Sequence, residues 1–275
     1  MKLVTDKFNS EIFGMKMGNI IDPIGTSEDV KNIINLAKSE GYQHLNVKVP
    51  IAEKTITNHF LRLGFDLVDT QVMYKINVSH LNLGGGTSSS IASYREYKTK
   101  DKNGVVNIAE GAYRIDQYHS DIALSKALCD KYYTEWVKNC CDGLSDKVMV
   151  VELPDEKIVA YLTLNYKRVS DLSHQHNNEN QYKVKDQYKV KDQYHSKNND
   201  EDTSSATVGL AAVDEGYREK GLFTFLIENT LRMLNRERIS LFYYGTQLAN
   251  IPVLKTMSKF GGAIEYGNHV MHLML

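Results

Sequence analysis

The stretch Val213 to Phe223, VDEGYREKGLF, constrains the chain more than any other, because it joins an apolar, strand-like run, ATVGLAA, to a helix-like run, TFLIENTLRMLNR. A strand that hands over to a helix through turn residues and glycine belongs to an α/β unit. The helix start leaves N–H groups unpaired and points the positive end of a dipole away from the helix. Phosphate or diphosphate binds at such a place, and Arg218 and Lys220 add positive charge there. Two glycines at this spacing match neither Gly-x-x-x-x-Gly-Lys-Ser/Thr nor Gly-x-Gly-x-x-Gly, so the segment is no nucleotide loop of those kinds. Read alone, it is equally well a plain strand-to-helix turn with a solvated charge pair.

The surrounding sequence supplies a sheet with helices on it. Ser120 to Cys141 has helical spacing, with Leu124, Leu128, Tyr132 and Trp136 on one stripe. Strands are expected at 147–153 and 157–166 around the turn Pro154-Asp155-Glu156, then at 206–213, 239–245 and 269–275, with helices at about 221–235 and 252–260. The class is α/β (α+β), with helices flanking a mixed sheet.

At 275 residues, the chain is long enough for one large domain or two small ones. Lys+Arg 33 against Asp+Glu 34 leaves a net charge of -1. That balance argues against nucleic acid and anionic membranes as partners. Cys129, Cys140 and Cys141 make no disulfide framework and lack zinc-ligand spacing. No apolar run resembles a signal peptide or a membrane span, and a cytoplasmic location is expected.

Three features divide the chain. LNLGGGTSSS, from Leu81, reads as a flexible linker, giving an N-terminal lobe at 1–80, a linker at 81–105 and a second lobe at 106–275. Within the second lobe, 170–205 is polar and of low complexity, and repeats Gln-Tyr-Lys-Val-Lys-Asp from Gln181 and Gln187. A mobile loop is expected there, with a protruding hairpin as the alternative. His174, His176 and His195 are better read as part of this solvated loop than as a metal site, and no metal is expected. Finally, Val47 to Ile76 and Tyr244 to Leu273 share a layout of strand end, short helix, glycine and final strand, with Gly64 against Gly261. A duplicated unit follows.

VDEGYREKGLF with the helix behind it resembles the diphosphate loop of the GCN5-related N-acetyltransferases, whose pattern is Arg/Gln-x-x-Gly-x-Gly/Ala; Arg218 and Gly221 match. GTQLANIPVLKTMSKFGG is similar to that superfamily's strand-Asn-helix-Gly block. FNSEIFGMKMG, DKYYTEWVKN and GTQLAN together resemble the dTDP-fucosamine acetyltransferases. The resemblance covers nearly all of the chain outside the repeat loop. It implies an acyl-CoA N-acyltransferase fold, a mostly antiparallel twisted sheet with a degenerate, half-size N-terminal lobe. It also implies acetyl-CoA as cosubstrate, and as cofactor-binding residues Ala211, Ala212, Val213, Arg218, Glu219, Lys220, Gly221, Leu222, Phe223 and Asn250. The acceptor it implies is a small-molecule amine, a nucleotide-linked amino sugar, bound where the lobes meet, with Arg114 and Tyr133 as contacts. A homodimer is left open.

Two positions depart from the family pattern. Phe223 stands where Gly or Ala is usual, and its helical stripe with Leu226, Ile227 and Thr230 turns it toward the core. Met257 stands where family members commonly place the tyrosine that protonates the departing thiolate, and a thioether has no proton to give. Water or another hydroxyl is the expected substitute, with Tyr266 and His269 as weak candidates. The base is expected from a water chain or from the first lobe, since no acidic residue lies in ATVGLAAV. An acetyltransferase of peptides, proteins or small amines, and an acyl-CoA-binding protein without turnover, are the alternatives.

Overall fold

The computed structural model describes residues 1–81, 92–167 and 204–275. Along the chain run β1 (Lys2–Thr5), α1 (Lys7–Phe13), β2 (Met17–Ile21), α2 (Ser27–Ser39), β3 (His44–Pro50), α3 (Lys54–Arg62) and β4 (Asp66–Asn77). After the undescribed stretch at 82–91 come β5 (Ser93–Glu96), α4 (Lys102–Ala112), α5 (Gln117–Ser120), α6 (Lys126–Asn139), β6 (Lys147–Glu152) and β7 (Ile158–Lys167). The last part holds β8 (Ser205–Val213), α7 (Leu222–Arg236), β9 (Leu241–Gln247), α8 (Ile251–Lys259) and β10 (Ala263–Met274).

All ten strands form one sheet in the order β1-β2-β3-β10-β4-β9-β8-β7-β6-β5. Only β2 with β3 and β8 with β9 pair in parallel; the other neighbours are antiparallel. The six central strands read alike from either end: β2-β3-β10 on one side of the β10/β4 contact, β8-β9-β4 on the other. Each half is a strand, a helix, a parallel strand, a second helix and a 12-residue strand. That long strand crosses over: β4 pairs with β10 and β9, while β10 pairs with β3 and β4. Gln71 opposite Asn268 lies at the centre, and Gly64 and Gly261, both at positive φ, close α3 and α8 in the same way.

Two expectations are corrected. The final strand begins at Ala263, not His269, and is an internal strand of the sheet, between β3 and β4. Within the linker expected at 81–105, residues 93–96 are β5 and α4 begins at Lys102, so a boundary at 105/106 would cut a helix. The repeat loop and its histidines, apart from residues 204 and 205, lie outside the described residues.

Apolar periodicity accounts for the packing. On one face of the sheet α2 and α3 bury Val30, Ile33, Ile34, Ile56 and Phe60 against β3, and α7 and α8 bury Leu226, Ile227, Leu231 and Met257 against β4, β7 and β9. The other face is covered by α1, α4, α5 and α6, whose core is aromatic: Phe13, Tyr118, Tyr132, Tyr133 and Tyr161. On α6 the buried residues are Cys129, Tyr132, Tyr133 and Val137, so the stripe is turned from the expected Leu128-Tyr132-Trp136 line. β7 is buried on both faces from Ile158 to Leu164, which explains an apolar run interrupted only by Thr163. Cys129, Cys140 and Cys141 are unpaired thiols. No helix among the described residues is long and apolar enough to cross a membrane.

Candidate active site

β8 and β9 pair for only three residues, Ser205 to Thr207 against Leu241 to Tyr243. β9 then stays with β4 through Gln247, and β8 stays with β7 through Val213. The two strands therefore diverge into a wedge whose walls are Val208–Val213 and Tyr244–Gln247. An irregularity in the β7/β8 ladder lies on the β8 wall, where Gly209 and Leu210 face the single residue Thr163, whose hydroxyl accepts the displaced Leu210 N–H at 2.9 Å. Backbone groups along both walls lack a strand partner across the gap. Such edges hydrogen bond an extended, amide-bearing ligand.

The loop beyond β8 closes the mouth of the wedge. Asp214 folds it by accepting from Gly216 N at 2.9 Å, and Glu215–Tyr217 form a single 3-10 turn. Glu219 and Gly221 both adopt the left-handed region, at φ 63 and 75. A Cβ on Gly221 would meet nothing within 4 Å, so its backbone dihedral, not lack of space, calls for glycine. Gly221 is the N-cap of α7, no side chain of the described residues caps that end, and no acid occupies the first turn. Two cations, Arg218 and Lys220, lie within three residues of it in the chain, and a third, Lys157, is paired with Asp214. The Arg218 guanidinium reaches Val213 O and Ala112 O, both at 3.4 Å, Lys220 Nζ donates to Gly216 O at 2.9 Å, and Lys157 and Lys220 lie 4.5 and 4.6 Å from the Tyr217 ring. An uncapped helix start among cations is an anion site.

Sequence reasoning passed over the apex of the wedge. Tyr244, the first β9 residue beyond the last pair with β8, is buried and packs edge-on against Phe223, with ring centroids 6.0 Å apart. Burial raises its pKa well above the ordinary phenol value. It lies close enough to Tyr113 and Tyr161, hydrogen bonded to each other at 2.8 Å, to push their pKa values further up, beyond the effect of burial. Three protonated phenols thus meet here. Phe223 packs against the main core as its stripe predicts.

On the α4–α6 face acids gather at the open end of the β9 wall, five residues along β4 from Tyr74, the partner of Tyr244. Asp69 on β4 is half-buried, and burial raises its pKa; Gln71 Nε2, donating at 3.1 Å, opposes the shift, while Asp116 adds to it. Asp116 is tied to His119 Nδ1 at 2.6 Å and caps α5. Tyr133 is buried, stacked on Tyr113 at 4.2 Å, and its phenol pKa is raised by burial, then by Asp116. It belongs to this wall. Arg114 is exposed but engaged, pairing with Asp130 and approaching His119 Nε2 at 3.4 Å.

The remaining expected residues divide. Asn250 caps α8 half-buried, its side chain making no capping bond, at the far end of the β9 wall. Met257 is wholly buried in the core beneath α8. Tyr266 and His269 lie on β10, which β4 separates from β9. Three positions apart on a strand, they face opposite sides of the sheet, and His269 Nδ1 is 3.2 Å from Thr70 Oγ1. A groove of about 610 Å³ between α4 and the loop, lined by Asn107, Glu156, Lys157, Asp214 and Arg218 among others, adjoins the mouth. Its charges largely pair with one another, Lys157 with Asp214 and Lys100 with Glu156, so the wedge is the stronger anion site.

No family model matches the chain, and no curated protein matches it. Solved structures do. A GCN5-related N-acetyltransferase from Sphaerobacter thermophilus is 7% identical at a TM-score of 0.62, with 99% of this chain and 75% of that chain covered. A GCN5-related glucosamine N-acetyltransferase region of a fungal multi-domain β-N-acetylglucosaminidase is 10% identical at 0.63, covering 99% of this chain and 31% of that one. A tandem protein of the same superfamily, from the clavulanic acid biosynthesis pathway, is 10% identical at 0.56, covering 94% and 74%. The wedge, the open helix start and these likenesses lead to one conclusion: the chain has the fold of the GCN5-related N-acetyltransferases, in a two-lobed form.

Proposed function

We propose that the protein transfers an acetyl group from acetyl-CoA to an amine, and that the acceptor is a nucleotide-linked amino sugar. The parting of β8 from β9 below an uncapped helix start that follows Arg218 and Lys220 carries this reading. The residues present suit the cosubstrate. N–H groups from Arg218 to Phe223 would take the diphosphate, the unpaired walls of the wedge the amides of pantetheine, and Asn250 a contact at the end of the β9 wall. The bound thioester supplies an activated carbonyl and a thiolate leaving group.

The chain's own groups then handle protons. The acceptor ammonium must lose one before attack, and Asp69, a carboxylate of raised pKa at the open end of the β9 wall, is assigned as the base. Tyr244, held protonated by burial, is assigned as the donor to the thiolate, the part Met257 cannot play. Fixed backbone dipoles along Val208–Val213 stabilise charge on the carbonyl oxygen.

Two things support an amino-sugar acceptor. Two of the three segments resembling sugar-nucleotide acetyltransferases meet in space, the rings of Phe8 and Phe13 of α1 lying 5.4 and 6.4 Å from that of Tyr132 of α6. The fungal neighbour is named for glucosamine acetylation. Met257 favours a second reading, an acyl-CoA-binding protein without turnover. Thiol release from acetyl-CoA, measured across nucleotide-linked amino sugars, free amino sugars and peptides, tests both. Turnover fastest with a nucleotide-linked amino sugar is expected; binding without thiol release from any acceptor would establish the second reading instead.

A further inference from the structure

We infer that His44, Asp121 and His272 bind a divalent transition-metal ion, Zn²⁺ being the best match, at the seam between the two halves. They come from β3, the α5–α6 turn and β10. His44 Nε2 lies 3.1 Å and His272 Nδ1 2.8 Å from the same oxygen, Asp121 Oδ2, and one ligand atom from each lies within 4.8 Å of the others. The side chains are 0%, 2% and 9% exposed for His44, His272 and Asp121.

The chemistry of the donors names the ion. Two imidazole nitrogens and one carboxylate oxygen suit Zn²⁺ and its neighbours, not Mg²⁺ or Ca²⁺, which prefer all-oxygen sets. Tetrahedral bonds of about 2.0–2.1 Å set ligand atoms roughly 3.3 Å apart, so a small outward movement admits the ion. Among the described residues, no lysine or arginine pairs with Asp121; its charge partners are the two imidazoles. A buried carboxylate whose charge partners are two imidazoles invites a cation.

A second observation points the same way. His44 Nδ1, His272 Nε2 and Asn46 Oδ1 are buried without a hydrogen-bond partner. Asn46 is directly opposite His272 in the β3/β10 ladder and two residues from His44, hence on the same face of the sheet. The two unpartnered imidazole nitrogens are the ones turned away from Asp121, so Asn46 Oδ1 is the unpartnered atom offered to the ion as a further oxygen donor. The ion would fasten the last strand to the first half, where β10 crosses over.

Metal content read per chain tests this without reference to acyl transfer. After treatment with EDTA and gel filtration, full-length protein is titrated with Zn²⁺ and Co²⁺. One equivalent bound, a tetrahedral Co²⁺ absorption and a higher Tm are expected, with affinity at least about tenfold weaker in Asp121→Asn and His272→Gln. Should either variant fail to fold, zinc K-edge absorption of the wild type counts imidazoles directly. Two imidazole nitrogens support the site. No stoichiometric metal, an ion without imidazole ligands, or binding that both folded variants retain unchanged would overturn it.

Discussion

The two halves share one plan, and they differ where a strand meets a helix. In the first, β2 ends at Ile21, one residue after its last partner on β3, so no second wall faces that strand. In the second, β8 runs on from Val208 to Val213 without β9. The helix starts differ as sharply. Thr26 caps α2 through a capping box with Asp29, and Glu28 and Asp29 fill its first turn with negative charge. Gly221 leaves α7 uncapped, with Arg218 and Lys220 beside it. A carboxylate on the first N–H groups occupies the place an anion would take, and its charge repels one. The same backbone plan thus gives a sealed half and an open half, and side chains at the N-cap and the third helical position separate them.

The largest expected effect asks whether the sealed half is silent in the chemistry, because β4, its last strand, carries Asp69 into the open half. Asp69→Asn should lower kcat by about 10²- to 10⁴-fold while acetyl-CoA still binds. In the wild type kcat/KM should rise with pH through an apparent pKa above the ordinary aspartate value, a limb the variant lacks. The same shift bears on stability. A folded-state pKa raised above the unfolded value stabilises at low pH, and that contribution is lost as pH rises through the folded pKa. Asp69→Asn should therefore not lower Tm at pH 7. A pH–rate profile of both proteins and a melt decide it; unchanged turnover would remove Asp69 from the site.

Next in size is the conversion of the open half into a sealed one. Thr224 holds the α7 position that Asp29 holds on α2, so Thr224→Asp should weaken acetyl-CoA binding by roughly tenfold, a loss of about 1–2 kcal/mol, with Tm unchanged or higher. Gly221→Val acts through the backbone. A branched residue at φ 75 costs about 1–2 kcal/mol, so lower affinity should come with a lower Tm, a coupling that calorimetry and a melt together resolve. The smallest effect belongs to the reverse change: Thr26→Ala should cost about 1 kcal/mol of stability in urea unfolding and leave the Kd for acetyl-CoA untouched.

What the sequence revealed follows from how local each signal is. β6, β7, β8, α7 and α8 fall within a residue or two of their expected limits, since alternation, helical period and turn residues are written within each segment. The strand-to-helix loop from Val213 to Phe223 was legible for the same reason. β10 was not, because Glu265, Gly267 and Asn268 make its first half look like a loop, and only partners β3 and β4 make it a strand. Asp69 and Tyr244 were missed because a polar or aromatic residue in a strand reads as an ordinary face residue; burial beside the wedge, a long-range property, gives each its altered pKa. His44, Asp121 and His272 are distant in sequence, and only the crossing of β10 brings them together.

Isothermal titration of the wild-type protein with acetyl-CoA, beside Thr224→Asp, tests most directly the claim that one of two like halves is the open one. One equivalent per chain, with affinity lost in a variant that melts at or above the wild-type temperature, is the expected result. Two equivalents, no binding, or a Thr224→Asp affinity equal to the wild type would contradict it.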